Sequence, residues 1–382
     1  MNTLFRALAL GILSHTALVH SAPLSARAQA PTLQENVEGR PQIDVVFVLD
    51  TTGSMGGLLE GAKRKIWSIA SRMAEGKPTP KIRVGLVAFR DRGDEYVTKR
   101  FDLNGDLDQV FKNLQTFQAN GGGDGPEAVG QGLGEAVKFM SWSSDKKTLK
   151  MAFLVGDAPA HDYRDGWKLE DWAKSARERH IIVNAVRCGA SEQAGTQFKQ
   201  VAALTDGTFV TIDGSGGMLA VTTPYDEKIA ALNAKMAATA LYAGSASARV
   251  ESDAAAHSLR GASAEAVADR MAFRAKTGAL ATAAAPPPAA VGAVDLVAQP
   301  AALESLSDDK LPERVRRLAP EARKEFVAKE AKERQAIQEE LSALSKDRAA
   351  WVNTHATKKE DAFDTKVMED VKKKAADYGV TY

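Results

Sequence analysis

Asp44-Val45-Val46-Phe47-Val48-Leu49-Asp50 runs straight into Thr51-Thr52-Gly53-Ser54-Met55. An unbroken apolar run rich in β-branched residues predicts a strand over 43–49 that is buried on both faces, as in a parallel sheet. The strand ends on a carboxylate, and the turn after it is rich in hydroxyls. Asp50, Thr52 and Ser54 alternate in sequence, so a tight loop can aim three oxygen-bearing side chains at one point. Carboxylate and hydroxyl oxygens are hard donors. They suit Mg²⁺, Mn²⁺ or Ca²⁺ rather than zinc or copper.

Outward from this stretch, apolar runs and helical periodicities alternate. Residues 57–73 carry Leu58, Ala62, Ile66, Ile69 and Met73 at helical spacing. Strands are expected at 82–89, 96–101, 150–155, 181–186 and 207–212. Helices are expected at 107–117, 127–140, 167–179 and 194–204. Strands alternating with helices imply an α/β fold: a doubly wound, mainly parallel sheet covered on both faces. The short link through Asp91-Arg92-Gly93-Asp94 allows an antiparallel hairpin at one edge. That domain is expected over 41–218. An Ala-rich helical segment (219–280), an Ala/Pro linker (281–302) and a charged α-helical tail (303–382) follow. In the tail, Val327, Ile337, Leu341, Leu344 and Trp351 approach heptad spacing, while Glu330, Arg334 and Arg348 interrupt the seam. A helical hairpin or a solvated helix is therefore expected in preference to a strong coiled coil.

The 382 residues carry a formal net charge of +1, without the basic footprint of a nucleic-acid binder. Arg6, the mostly apolar 8–19 stretch and the small residues Ala26-Arg27-Ala28 read as an export signal (1–28) cleaved after Ala28, leaving no stable membrane span. A single cysteine, Cys188, excludes an intrachain disulfide. Export without disulfides suits a periplasmic or secreted protein of a bacterial envelope. Cys188 itself, at the end of an apolar run, reads as a buried small residue.

Asp157, in Phe153-Leu154-Val155-Gly156-Asp157, ends another predicted strand. In open α/β sheets ligands bind beyond the carboxyl ends of the strands. If the two strands are neighbours, Asp50 and Asp157 share a crevice. Between them comes Asn120-Gly121-Gly122-Gly123-Asp124-Gly125-Pro126-Glu127, whose glycines permit close backbone approach. Taken singly, Asp50, Thr52 or Ser54 would cap a helix and Asp157 would fix a turn before Pro159. The combination points to a metal.

These residues resemble the von Willebrand factor A-type domain with its metal-ion-dependent adhesion site (MIDAS). The segment Asp50-x-Thr52-x-Ser54 has the Asp-x-Ser/Thr-x-Ser form, and together with the Gly-Gly-Gly-Asp-x-Pro-Glu segment it is similar to the subgroup found in hemicentins and beside alpha-kinases. The resemblance implies that Thr52 and Ser54 bind a divalent cation directly, and that Asp50 and Asp157 bind it directly or through water. Mg²⁺ is the first choice, with Ca²⁺ and Mn²⁺ as alternatives. The family's third element is a threonine on a separate loop. Here Asp124 replaces it, with Glu127 as the weaker candidate. Three ionised acids around one dication leave a formal charge of about −1, which weakens attraction for a partner's carboxylate.

The function so implied is non-catalytic: a protein partner supplies an oxygen to the bound cation. The alternatives are a metal-dependent enzyme or enzyme subunit, and an envelope scaffold that binds through its C-terminal helices. The chain has no Gly-x-Ser-x-Gly elbow, no His-Glu-x-x-His and no phosphate-binding loop; Gly214-Ser215-Gly216-Gly217 lacks the required lysine. His161 and Asp162 are expected in a loop beside Asp157. Arg92-Gly93-Asp94 is expected to be a turn rather than an adhesive tripeptide. Trp67, Trp142, Trp167 and Trp172 are expected to pack from helices.

Overall fold

The computed structural model describes residues 39–123, 125–212, 222–257, 262–277, 286, 289–355 and 362–382. The expected export signal, the glycine run at 214–217 and Asp124 lie outside the described residues. None of the described helices is long and apolar enough to cross a membrane.

Six strands form the main sheet: β1 (Gln42–Asp50), β2 (Lys81–Phe89), β3 (Thr98–Asn104), β4 (Thr148–Gly156), β5 (Ile181–Cys188) and β6 (Phe209–Ile212). Their order is β3-β2-β1-β4-β5-β6. Every pairing is parallel except β2 with β3. The sheet is thus doubly wound with an antiparallel edge, and its order reverses between β1 and β4. That reversal opens a crevice at the carboxyl ends of those two strands. The edge strand lies about two residues later than its apolar residues suggested, because the bonds nearest the turn are made by Arg90 and Val97.

Strand β1 explains why the sequence reads as one apolar run. Ile43, Val45, Phe47 and Leu49 face a core built with α1 (Gly56–Met73) and α2 (Leu107–Gln115). Val46 and Val48 face a second core with α3 (Val129–Phe139), α4 (Leu169–Glu178) and α5 (Glu192–Leu204). The exception, Asp44, is fully buried. Its carboxylate takes a two-pronged contact from Arg83 (2.9 and 2.6 Å) and the Ser143 N–H (2.8 Å). A planar guanidinium and a backbone donor compensate its burial. Of the tryptophans, Trp142 and Trp167 lie in loops rather than helices; Trp167 stacks on Trp172 (5.4 Å) over Gly134, where a side chain would collide with the indole.

The C-terminal half is folded onto this sheet. Helices α6 (Asp226–Ala238), α7 (Ala246–Ala256) and α8 (Ala264–Thr277) follow β6. Inside the expected linker, β8 (Ala293–Asp295) pairs antiparallel with β7 (Tyr242–Gly244). The run is folded at that point because Leu296 and Val297 reach a small core with Leu241, Leu311, Val315 and Val327, which the surrounding Ala/Pro composition concealed. A single turn, α9 (Glu313–Arg316), precedes the 36-residue α10 (Pro320–His355), and α11 (Ala362–Ala376) follows.

The charges that broke the heptad seam of α10 are buried and paired. Arg334 donates to Asp295 (2.7 Å) and to Thr239 Oγ1 and O (2.9 and 3.0 Å). Arg348 bridges Asp226 (2.7 Å) and Asp269 (2.6 Å), tying α10 to the start of α6 and to α8. Glu330 receives Arg314 (2.7 Å). Of the apolar seam residues, Ile337 and Leu341 pack on Ile229, Leu232, Met236, Val267 and Met271, with Leu344 beside them. α10 is therefore one long helix laid on α6 and α8, neither a hairpin nor a solvated rod.

Helices α8 and α11 close the same core that α1 opens. Phe273 of α8 meets Trp67 edge-on (6.0 Å). Val367, Met368, Val371 and Ala375 of α11, with Val380, are buried among the residues of α1 and the sheet. The chain end is stitched in as well: Thr381 and Lys77 exchange backbone bonds (2.7 and 3.0 Å), and the Tyr382 hydroxyl donates to Met73 O (2.8 Å). Two outcomes are expected. Met368→Ala should cost about 2–5 kcal/mol, the usual range for emptying a core methionine site, in urea unfolding of the full chain. Arg348→Ala should cost about 3–5 kcal/mol, because it takes the guanidinium away from the buried Asp226 and the partly buried Asp269; a change within the surface range of about 0.5 kcal/mol would refute that account.

Candidate metal centre

Parallel pairing of β1 with β4 aligns Leu49 with Val155, so Asp50 and Asp157 leave the sheet side by side at the reversal point. A Cβ on Gly156 would lie 3.1 Å from Asp50 Oδ2, so any larger residue there would press on the Asp50 carboxylate. Asp50 is fully buried. Its Oδ1 accepts from the Thr52 N–H (2.9 Å) and the Thr52 hydroxyl (2.6 Å), and that hydroxyl lies 3.1 Å from Ser54 Oγ. The alternation read from the sequence does converge. The 3₁₀ turn Gly53–Met55 and α1 both start without a side-chain cap, so Asp50, Thr52 and Ser54 are not engaged as helix caps.

The glycine loop is laid directly on this turn. The Gly53 N–H donates to Gly121 O (3.0 Å) and the Asn120 N–H to Thr51 O (3.0 Å). Arg90, almost fully buried, holds the underside: Nε donates to Thr51 O (3.1 Å) and Nη2 to Gln118 O (2.8 Å), with the guanidinium 4.2 Å from the Tyr96 ring centre. Asp94 accepts from the N–H groups of Asp91 (3.1 Å) and Gly122 (3.0 Å). The Arg92-Gly93-Asp94 turn is thus consumed internally. Arg92 pairs with Asp165 and lies 3.7 Å from the Tyr163 ring centre. His161, stacked on Tyr163 at 4.1 Å, sits in the loop after β4 as expected.

Among the described residues, the buried carboxylate oxygens without a hydrogen-bond partner include Asp50 Oδ2, Asp157 Oδ1 and Glu127 Oε2 in this crevice. Leaving an acceptor so costs of order 1–3 kcal/mol, more when it is charged. Burial, against the opposing Thr52 bonds and reinforced by the Asp157 charge, raises the Asp50 carboxyl to about 7. Burial and the charges of Asp50, Asp91, Asp94 and Asp157 raise Glu127 to about 8. Cys188, fully buried, has its thiol pushed far up by burial and then by Asp157 and Asp50. No cluster of three or more His, Cys, Asp or Glu able to hold a metal is present among the described residues. The donor set here instead mixes two hydroxyls with carboxylates, and metal-free carboxylates repel one another. Unpartnered hard oxygens beside two hydroxyls fit a hard divalent cation.

Of the five expected ligands, Asp50, Thr52, Ser54 and Asp157 are brought together, while Asp124 lies outside the described residues. The sequence reading missed Arg90 and Asp94, which bind backbone of three loops. Their signal was weak, since charged residues after a strand usually face solvent.

Residues 44–220 match the von Willebrand factor A domain family. They form a von Willebrand factor A domain. A stretch of 122 residues, 31% of this chain, is 25% identical to alpha-protein kinase vwkA of Dictyostelium discoideum, of which it spans 19%. Solved structures similar to the chain include a von Willebrand factor type A protein from Catenulispora acidiphila (18% identity, 47% of this chain and 40% of that one, TM-score 0.36). Another is proximal thread matrix protein 1 from the mussel byssus with a zinc-occupied MIDAS motif (17% identity, 47% and 45%, TM-score 0.37).

The raised carboxyls set a pH dependence with a definite sign. Folded Asp50 and Glu127 hold protons, up to about 7 and 8, that the unfolded chain releases near 3.8 and 4.5. Their contribution to stability is complete below the unfolded values and is lost as pH rises through the folded ones. The metal-free melting temperature should therefore fall between pH 5 and pH 8.5. A divalent cation binds the ionised form, so its stabilisation should grow over the same window. A thermal-shift series at several pH values with EDTA or Mg²⁺ checks both, and a Mg²⁺ effect larger at pH 5 than at pH 8 contradicts the assignment.

Proposed function

We infer that this protein is a non-catalytic interaction module whose von Willebrand factor A domain binds a protein partner through a divalent cation. The observation that carries this reading is the pair of unpartnered buried oxygens, Asp50 Oδ2 and Asp157 Oδ1, on adjacent strand ends beside the Thr52 and Ser54 hydroxyls. Asp50, Thr52, Ser54 and Asp157 would hold the cation, with Asp124 as the third-loop donor expected from the sequence. Mg²⁺ is the first candidate and Ca²⁺ or Mn²⁺ the alternatives. When bound, the cation supplies a coordination position for an oxygen of the partner. The chain's own contribution is rigidity: Arg90 and Asp94 clamp the two donor loops to each other before any ligand arrives. Preorganisation of this kind lowers the ordering cost of association. The export-signal pattern expected over 1–28 supports a periplasmic or secreted location.

The alternative of catalysis rests on the kinase name of a relative that this chain matches over a fifth of its length. It has little support in the residues. The sequence carries no phosphate-binding loop.

Capture from envelope extract with the immobilised full-length protein tests the reading. Wild type should recover a partner that Asp50→Ala and excess EDTA both release. Equal recovery in all three arms would sink it.

A further inference from the structure

The third-loop donor of the proposed cation site can be assigned more closely, and the assignment rests on that site being a cation site. Glu127 is the residue the geometry favours. It lies two residues before α3 and is only 3% exposed. Its backbone is bonded to the loop that follows Asp157: the Glu127 N–H donates to Pro159 O (2.9 Å), and Glu127 O accepts from the His161 N–H (2.8 Å). The position of its Cα is therefore set by the same loop that carries Asp157. Its side chain turns toward Thr52. A Cβ placed on Gly122 would lie 2.9 Å from Glu127 Oε1 and 3.0 Å from Thr52 Cβ, so the carboxylate and the threonine flank one glycine. Oε2 is buried and has no partner.

A structural role does not account for this carboxylate. Its charged neighbours are Asp50, Asp91, Asp94 and Asp157. The nearby cation, Arg90, directs its guanidinium to Thr51 O, Gln118 O and the exposed Glu95. A buried acid among four others, with no ion pair among the described residues, must either keep its proton or meet a cation. We propose that Glu127 supplies the third-loop oxygen of the metal centre, in place of the threonine of the family pattern and in preference to Asp124. With Asp50 and Asp157 it makes three carboxylates around the cation.

Isothermal titration of the full-length protein with Mn²⁺ and with Mg²⁺ at pH 8, paired with metal-free melting temperatures, tests this. The variants are Glu127→Gln, Glu127→Asp and Asp124→Asn. Glu127→Gln keeps the shape of a protonated glutamate and removes its charge. It should melt at or above the wild-type temperature without metal, because the acids around it repel one another less. It should also bind either cation at least about 10-fold more weakly, a loss of the size seen when a group supporting a metal site is removed. Asp124→Asn should bind as wild type does. Glu127→Asp keeps the charge on a shorter arm and should fold and bind with intermediate affinity, which covers the case of a Gln variant that fails to fold. Undiminished binding by Glu127→Gln, or loss confined to Asp124→Asn, overturns the assignment while leaving the cation site intact. Absence of binding by wild type overturns both.

Discussion

The structure turns on one buried carboxylate. Asp50 ends a strand whose two faces are sealed by separate cores, so its side chain has nowhere to go except into the crevice where the sheet order reverses. One of its oxygens is saturated by Thr52, and the other is left open. Burying a carboxylate is costly, and the neighbouring strand end brings a second one, Asp157. The chain offsets part of this locally through the short Thr52 bonds and leaves the rest to a proton or a cation. Each surrounding feature keeps that arrangement from relaxing. Gly156 makes room for Asp50, and the glycine loop covers Thr52. Arg90 and Asp94 hold the loops together through backbone groups, so the acids themselves remain uncommitted.

Arg90 shows how the electrostatics are arranged. A guanidinium so close to buried acids would ordinarily be expected to neutralise one of them. Instead its donors go to the Thr51 and Gln118 carbonyls and to the exposed Glu95, and its guanidinium lies over the Tyr96 ring. The result is a rigid cradle whose negative potential is not cancelled from within. A potential of that sign in a recess attracts cations and repels anionic groups until the cation is in place.

The main sheet was legible in the sequence for a simple reason. Strands buried on both faces must be continuously apolar, and the helices between them must show a single apolar stripe, so both leave strong patterns. The convergence of Asp50, Thr52, Ser54 and Asp157 was legible too, because alternation along a turn and position at a strand end are local facts. Three things were not. The loop tryptophans Trp142 and Trp167 sit in apolar surroundings that resemble helix faces. The charges of α10 looked like interruptions because their partners, Asp226, Asp269 and Asp295, are far away in sequence. The strand within the Ala/Pro run was concealed by composition, since two or three apolar residues suffice to dock a short strand against a neighbour.

The boundary drawn by family similarity is also not the boundary of the folding unit. The match ends at residue 220, yet the core on the α1 side of the sheet is completed by Phe273, Val371 and Val380. Helix α1 connects the two regions. Its 18 residues span ~27 Å, with Ser54 just before its first turn and Tyr382 bonded to its last residue, Met73. α8 and α11 lie along it between these ends. A helix clamped so by packing cannot shift along its axis without breaking the buried contacts of Trp67 and Met73 with the C-terminal segments, and interiors this dense accommodate little displacement. The C-terminal half thus helps fix where α1 sits, and α1 where Ser54 meets the Thr52 hydroxyl. The charged tail therefore belongs to the architecture that positions the crevice, even though none of its described residues lies there.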